Sequence, residues 1–588
     1  MALTKVTNSL LDLPVKTFAT DSIMIGDTTT GTISGANNNT GFGIDVFEAL
    51  TSGQSNVAIG LDSLTALTTG NYNTGVGRLT LSSVTTNSNN TAVGGVALQN
   101  NTGSDNTAVG SSALTANTSA SYNTAVGSSA MLSNTSGEEN TAVGYQALDA
   151  NTTGANNTAM GSGALGANTT GARNTGLGKN ALLVATTANE NTAVGNQALV
   201  DVTTGSQNVG VGHAALYELT TGNYNTAVGS NSLQNNTTAS NNNAFGYATL
   251  DANTTGSRNT AIGSRCLTDN TTGGNNVSVG EATLFKNTTG GNNVAVGTSA
   301  IENNLTGVSL TAVGYRALHY CTGNNQTAVG LDAAFNTTTG ANNTALGMNS
   351  LRANTTGYYC TALGEGALSA HTTGYYNIGI GQSAGNNLTT GALNTVIGCN
   401  ANVGYNSAGC AVLGYGNDTG AGTSVAVHIG YNNGTNGVSS YNVTFGQNGT
   451  WSRLAFGGNS FTTSSDERKK KEINDHPLGL DFINQLRPVN YKFKAHSEVP
   501  EEWSIYDPEN TEHEFEDVVQ TGMLAQEVKQ ALDNLDVEPE KFNGWGEEED
   551  GMQTLNYGQF VMPLIKAVKE LSAKCDSLQN EINTLKGE

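Results

Sequence analysis

Between roughly residues 20 and 450 the apolar side chains recur in a long cycle of small residues. One unit reads NTAVGSSALTANTSASY, residues 106–122, and its neighbours repeat the same order. The Gly that closes NTAVG falls at 60, 77, 94, 110, 127, 144 and onward to 398, a step of 17 residues and occasionally 16. Gly26 and Gly43 extend the register upstream, and Gly414, Gly430 and Gly446 extend it downstream at a step of 16. Within N-T-A-V-G the alternation predicts a short strand with one buried face. The Gly permits a backbone conformation or a close approach that a side chain would block. A second apolar pair, such as Ala113–Leu114, Ala147–Leu148 or Ala164–Leu165, predicts a second short strand. The NTTG segment then reads as a turn, with Asn able to take αL, Thr capping and Gly taking positive φ.

A unit this short cannot bury a core alone, so the units must stack, and stacking makes a solenoid. Equivalent Asn and Thr side chains are expected to form hydrogen-bonded ladders along the axis. At about 4.8 Å between stacked strands, some 25 coils give a rod on the order of 120 Å. Leucine-rich and pentapeptide solenoids have other periods, and α-helical repeats need Ala and Leu where these units carry Gly and Asn. Around residues 20–450 the repeat resembles the head repeats of trimeric YadA-like adhesins, whose coils carry a similar N-x-(S/T)-V/A-A-I/V-G strand but are usually shorter.

Composition changes this picture at one place. Residues 1–464 carry 31 charged side chains and the remaining 124 carry 40, which places a domain boundary near 460. With Pro 7 and Gly 74 in 588 residues, the chain is neither collagen-like nor a Pro-rich linker. The net charge of −23 argues against nucleic acid as a partner. Cys266, Cys321, Cys360, Cys399, Cys410 and Cys575 show no metal-ligand spacing and read as small buried hydrophobes or idle thiols. His is sparse and unclustered, so neither a metal site nor a Ser/His triad is expected, and no cofactor is implied. MALTKVTNSLLDLPV has no signal-peptide pattern, and no run approaches the ~18 apolar residues of a membrane span. Assembly in a host cytoplasm without membrane insertion is the expectation.

Residues 462–588 carry four ordered segments: TTSSDERKKKEI (462–473), LDFINQLRPVNYKFK (480–494), TGMLAQEVKQAL (521–532) and LNYGQFVMPLIKAVKEL (555–571). Together they are similar to the intramolecular chaperone domain of phage tail fibres and tailspikes, the peptidase S74 family. That resemblance implies a Ser and a Lys five residues apart as the cleavage dyad, here Ser465 and Lys470, with Ser465–Asp466 as the scissile bond. It implies a serine–lysine endopeptidase acting once in cis, with no external substrate. Lys469 stands where the family has an apolar residue and Lys471 where Glu is common, so these two are alternative bases. A Ser hydroxyl needs a base, and Lys serves only when desolvation or neighbouring cations lower its pKa. Arg468, Lys469 and Lys471 supply the cations; burial on assembly would supply the rest. As a plain charge run, RKKK would be a solvated turn.

The last residues form a heptad pattern. Leu564, Leu571, Leu578 and Leu585 recur every seven, with Val568, Cys575 and Ile582 between them, which predicts a coiled coil. The pattern leaves strand number open, and a lone helix with an apolar stripe is the alternative; three strands is what the family implies.

The acidic runs at Glu512, Glu514, Glu516, Asp517 and at Glu547, Glu548, Glu549, Asp550 lack an EF-hand arrangement and read as solvated loops. Recurrent Tyr such as Tyr72, Tyr122, Tyr224, Tyr358, Tyr359, Tyr375 and Tyr376 would either pack within the repeat or stack on sugars.

The expected fold is therefore an all-β trimeric repeat fibre, a β-solenoid or β-roll of 17-residue coils, followed by a small α+β chaperone domain ending in a trimeric coiled coil. The expected domains are a virion-attachment segment (1–20), the shaft (21–458), the chaperone (459–558) and the coiled coil (559–588). The expected function is a virion tail fibre that adheres to the host surface through a glycan or protein receptor. Its N-terminus would hold a baseplate or adaptor protein, and the homotrimer would be started by the chaperone. A polysaccharide-depolymerising tailspike would need paired carboxylates in a cleft, and a cell-surface trimeric adhesin would need export and anchor segments.

Overall fold

The computed structural model describes residues 15–26, 30–420, 422–432, 442–447, 450–455, 462–463, 471–503, 505–509 and 519–587. The chain divides into two compact units, Met1–Ser464 and Ser465–Glu588.

The first unit is a β-solenoid. Strand β1 (Val15–Phe18) pairs antiparallel with β2 (Ser22–Gly26), and β2 starts a parallel ladder that advances one strand per coil. The ladder runs from β3 (Thr40–Gly43) to β27 (Asn442–Gln447), mostly in strands of three residues. It ends as it begins: β28 (Thr450–Ala455) folds back antiparallel on β27 and pairs with β29 (Thr462–Thr463). Both open edges of the parallel stack are thus covered by antiparallel strands, which protects backbone groups that would otherwise template aggregation.

Each coil holds one strand, not two. The apolar pair expected to form a second strand lies in a tight turn instead, with Leu114 at φ 51° and Leu148 at φ 55°. In the coil 123–139 four residues take positive φ: Gly127 (139°), Ser129 (58°), Met131 (50°) and Glu139 (58°). A non-glycine residue there costs on the order of 1 kcal/mol, and coil-to-coil hydrogen bonds supply the compensation. The Ser129 amide donates back to Ser111 O (2.9 Å), while the Met131 amide donates forward to Ala147 O (3.0 Å). The left-handed residues let alternate amides point to opposite neighbours, so irregular backbone is paired as fully as a strand.

The two glycines of a coil serve different needs. At Gly144 φ is 140° and a Cβ would sit 2.6 Å from Gly161 O, so both conformation and space demand glycine. At Gly154 of NTTG, by contrast, the demand is only space: a Cβ would meet Gly171 O at 2.2 Å. The positive φ expected for that Gly lies instead two residues before the strand, such as on Asn156 at 62°.

The core is narrow and partly polar. The strand-centre Ala side chains and the turn pairs are fully buried, as at Ala125, Ala130 and Met131. Beside them run the anticipated Asn ladders. In the first, Asn140 Oδ1 accepts from the backbone amide of Asn157 (2.9 Å) and from Asn157 Nδ2 (3.1 Å), and the pattern repeats from coil to coil. A second ladder links side chains alone, as where Asn151 Nδ2 donates to Asn134 Oδ1 at 2.8 Å. The coils at Ala185, Val202 and Leu219 replace this second ladder with apolar residues, leaving Asn168 Oδ1 without a donor. A Thr ladder on the turn adds hydroxyl-to-carbonyl bonds, for example Thr135 Oγ1 to Thr152 O at 2.9 Å.

In the second unit, α1 (Leu480–Ile483), α2 (Ala525–Asp533) and α3 (Val561–Lys586) accompany two small antiparallel pairs. These are β30 (Val489–Tyr491) with β31 (Gln520–Gly522), and β32 (Trp545–Glu547) with β33 (Gln553–Leu555). Their core gathers Phe482, Val528, Leu532, Phe542, Trp545 and Phe560. The three Phe rings pack together, edge-on between Phe542 and Phe560 at 5.2 Å.

Candidate functional site

The residues expected to form a cleavage dyad belong to the first stretch of the second unit's sequence. Ser465, Asp466, Lys469 and Lys470 fall outside the described residues. Lys471, the last of the basic run, is almost fully exposed and pairs with Glu472 at 3.6 Å. Glu472 takes φ 57°, so the chain turns sharply just after the run.

Downstream, α3 is anchored at its first turns. Glu570 Oε2 accepts from the Leu480 amide at 2.6 Å, capping α1 from another element, and Lys566 Nζ donates to His476 O at 2.6 Å. Only Pro563 and Ala567 of α3 are buried. The heptad residues Leu564, Val568, Leu571, Cys575, Leu578, Ile582 and Leu585 are all exposed or nearly so, with Leu571 at 50% and Leu578 at 57%. A 26-residue helix that buries so little cannot owe its length to contacts within its own chain. Beside its N-terminus an apolar cavity of about 370 Å³ is lined by Ile483, Leu486, Pro488, Phe560, Val561 and Leu564. Arg487 forks onto Glu527 of α2, with Nε to Oε2 at 3.2 Å. That hydrogen bonding holds the Glu527 carboxyl below its usual range.

The shaft holds constellations that sequence reasoning missed. Asp332, nearly buried, lies 2.9 Å from Arg316 and 3.6 Å from Arg352, and the Arg316 guanidinium stacks 4.8 Å over Phe335. His319 stacks on the same ring at 5.2 Å and faces Glu302 at 3.6 Å. Charges one coil apart were the only available signal. Tyr358 stacks on Tyr375 (5.3 Å) and Tyr359 on Tyr376 (5.0 Å), so two adjacent coils carry an exposed tyrosine block. Their ring faces are spent largely on each other. Tyr72, Tyr122 and Tyr224 stand exposed on separate coils.

Cys266, Cys321, Cys360 and Cys410 are buried free thiols. Burial pushes the Cys321 thiol up to about 12 and the Cys266 thiol up to about 11, so both stay protonated and unreactive. Among the described residues no group of three or more His, Cys, Asp or Glu side chains could hold a metal ion. Nor is any described helix long and apolar enough to cross a membrane. The first acidic run lies outside the described residues, and in the second Glu547 sits 4.0 Å from Lys529.

Residues 465–536 match the protein family described as chaperone of endosialidase, peptidase S74. The match takes in the 462–473 segment from residue 465, the whole of 480–494 and 521–532, and stops before the 555–571 segment. No curated protein and no solved structure matches the chain. A solenoid of 17-residue coils followed by a chaperone-of-endosialidase domain fits a phage tail fibre-like protein.

Proposed function

We propose that this chain is the precursor of a trimeric tail fibre of a virus or phage, a shaft that adheres to the host surface, with a C-terminal clamp that starts three chains in step and then cuts itself away. One observation carries the reading: a ladder whose coils are chemically interchangeable leads into a domain matching the chaperone of endosialidase. Successive strands pair Thr on Thr and Ala on Ala, as at Thr124–Thr141–Thr158, so a slip by one whole coil between chains costs little. Register must be set from outside the repeat. The exposed heptad seam of α3 supplies a place where three chains can meet in one alignment.

In the cleavage step Lys470, as free amine, takes the proton of the Ser465 hydroxyl. The Ser465 Oγ bonds to the carbonyl carbon of the Ser465–Asp466 bond as Lys470 passes the proton to the departing Asp466 nitrogen. One water then hydrolyses the acyl ester, restoring the Ser465 hydroxyl and leaving a carboxylate on Ser465 and an amine on Asp466. Crowding by Arg468, Lys469 and Lys471 lowers the Lys470 pKa, and burial on assembly lowers it further, so cutting follows folding. Loss of the clamp makes unfolding one-way and the shaft kinetically stable. The N-terminal segment attaches the shaft to the particle, and its surface meets a glycan or protein receptor.

Denaturing gels of the full chain test this. Wild type yields fragments 1–465 and 466–588; Ser465→Ala and Lys470→Ala yield one full-length band, while Lys469→Ala and Lys471→Ala still cleave. A well-folded wild-type trimer that stays uncut would refute the self-cleavage.

A further inference from the structure

In every strand from β3 to β27 the residue just before the closing Gly is Val, Ile, Leu, Met or Phe, without a polar exception. These side chains point out of the coil. Phe42 is 52% exposed, Met160 46%, Leu363 43%, Ile262 42% and Phe445 42%. The inward residue of these strands is mostly Ala or Gly, giving way to Val396, Val412, His428 and Thr444 in the last four, so along most of the ladder the larger apolar side chain of each pair faces solvent. The neighbouring outward row, two residues earlier, is mostly Thr, and the residue after the Gly varies through Ser, Lys, Glu, Asn and Tyr. One apolar row therefore runs the length of the solenoid between mixed rows.

Scattered apolar residues on a surface need no explanation, but a contiguous row does. The row exposes on the order of 1,000 Å², above the few hundred of an ordinary monomer's largest patch and near one partner's share of a stable interface. Its spacing identifies the occupant. Whether a coil has 17 residues or 16, as from Val93 to Val109, the ladder places one row residue per strand. Only a partner with an apolar side chain at each ~4.8 Å step can fill the row along its whole length. Another copy of this chain, parallel and level, does so by construction.

We infer that the row is the shared axis of three shafts, each coil contributing one side chain to a layer of three. This rests on the trimeric fibre proposed above and assigns the face by which its shafts join. A row one residue wide suits a three-fold axis, where three rows converge and close. Face-to-face pairing of two such rows would leave their flanks wet. Cyclic symmetry about an axis along the rod keeps every coil opposite its own equivalent.

The test uses the full chain with Cys399→Ser and Cys575→Val, which removes the partly and fully exposed thiols and keeps the heptad seam of α3 apolar. Val109→Cys is compared with Ser119→Cys, an exposed turn position elsewhere on the coil. Both are oxidised with copper phenanthroline, read on denaturing gels, and weighed by light scattering. The expected result is a disulfide-linked dimer band for Val109→Cys that saturates at about two-thirds of the chains, since one of three thiols on a three-fold axis finds no partner. Ser119→Cys stays uncrosslinked. A trimeric mass without crosslinking at Val109→Cys overturns the assignment of the row but leaves the fibre reading standing. Complete conversion to dimer overturns the three-fold geometry, and a monomeric mass overturns both.

Discussion

Replacing Asn157 by Ala tests the first Asn ladder at a single atom. Asn157 is fully buried, and its Oδ1 accepts from the Asn174 backbone amide at 3.0 Å and from Asn174 Nδ2 at 3.2 Å. Its Nδ2 donates to Gly171 O at 2.9 Å and to Asn140 Oδ1 at 3.1 Å. Most of these partners are insured: Gly171 O keeps Asn168 Nδ2, Asn140 Oδ1 keeps the amide of residue 157, and Asn174 Nδ2 keeps Ala188 O. The Asn174 amide is not. Left buried without an acceptor, it costs about 2 kcal/mol, equivalent to roughly 30-fold faster exchange of that amide if local opening is what relieves it. Hydrogen exchange read by mass spectrometry on the full chain would show the peptide holding Asn174 deprotected while distant coils stay unchanged. Unaltered exchange at that peptide would refute the claim that side-chain oxygens are an essential part of the strand ladder. The second ladder provides the internal contrast. Its oxygens serve mainly other side chains, and there the molecule tolerates Ala185, Val202 and Leu219 with one orphaned oxygen, Asn168 Oδ1.

Other perturbations follow from the same geometry. Burial lowers the His371 pKa from 6.5 to about 4, and its Nε2 accepts from Asn377 Nδ2 at 3.1 Å. Because the unfolded chain takes up this proton first, the stability is complete above about pH 6.5 and is lost as pH falls toward 4, by roughly 3 kcal/mol in all. His371→Asn, the residue of the neighbouring coil at Asn354, is expected to flatten that acid dependence in a pH series of thermal unfolding. Gly161→Ala must place a Cβ 2.4 Å from Gly178 O at φ 140°, so it is expected to cost about 3 kcal/mol or more. Gly163→Asn, at φ 69° where the next coil has Asn180, should change the unfolding temperature little. Leu571→Asp should give an uncut monomer that loses helix content by circular dichroism, because that side chain is half exposed on the seam the proposed trimer would pack, and α3 buries too little to hold its length alone.

The coil period, the Asn and Thr ladders and the C-terminal segments were legible in the sequence, because each repeats a residue type at a fixed spacing and stacking demands that identity. The expected Ser465–Lys470 dyad rests on the resemblance alone and falls outside the described residues. The structure decided the backbone path between strands. Ala–Leu reads as a strand fragment by polarity alone, yet Leu114 and its equivalents sit at positive φ because amides in the turn must reach both neighbouring coils. The outward Val row was equally hidden. Alternation says only that neighbouring strand residues face opposite sides, and when both are apolar it cannot say which side is inside. Packing decides it: the space between stacked turns admits Ala, and the larger side chain is left facing out.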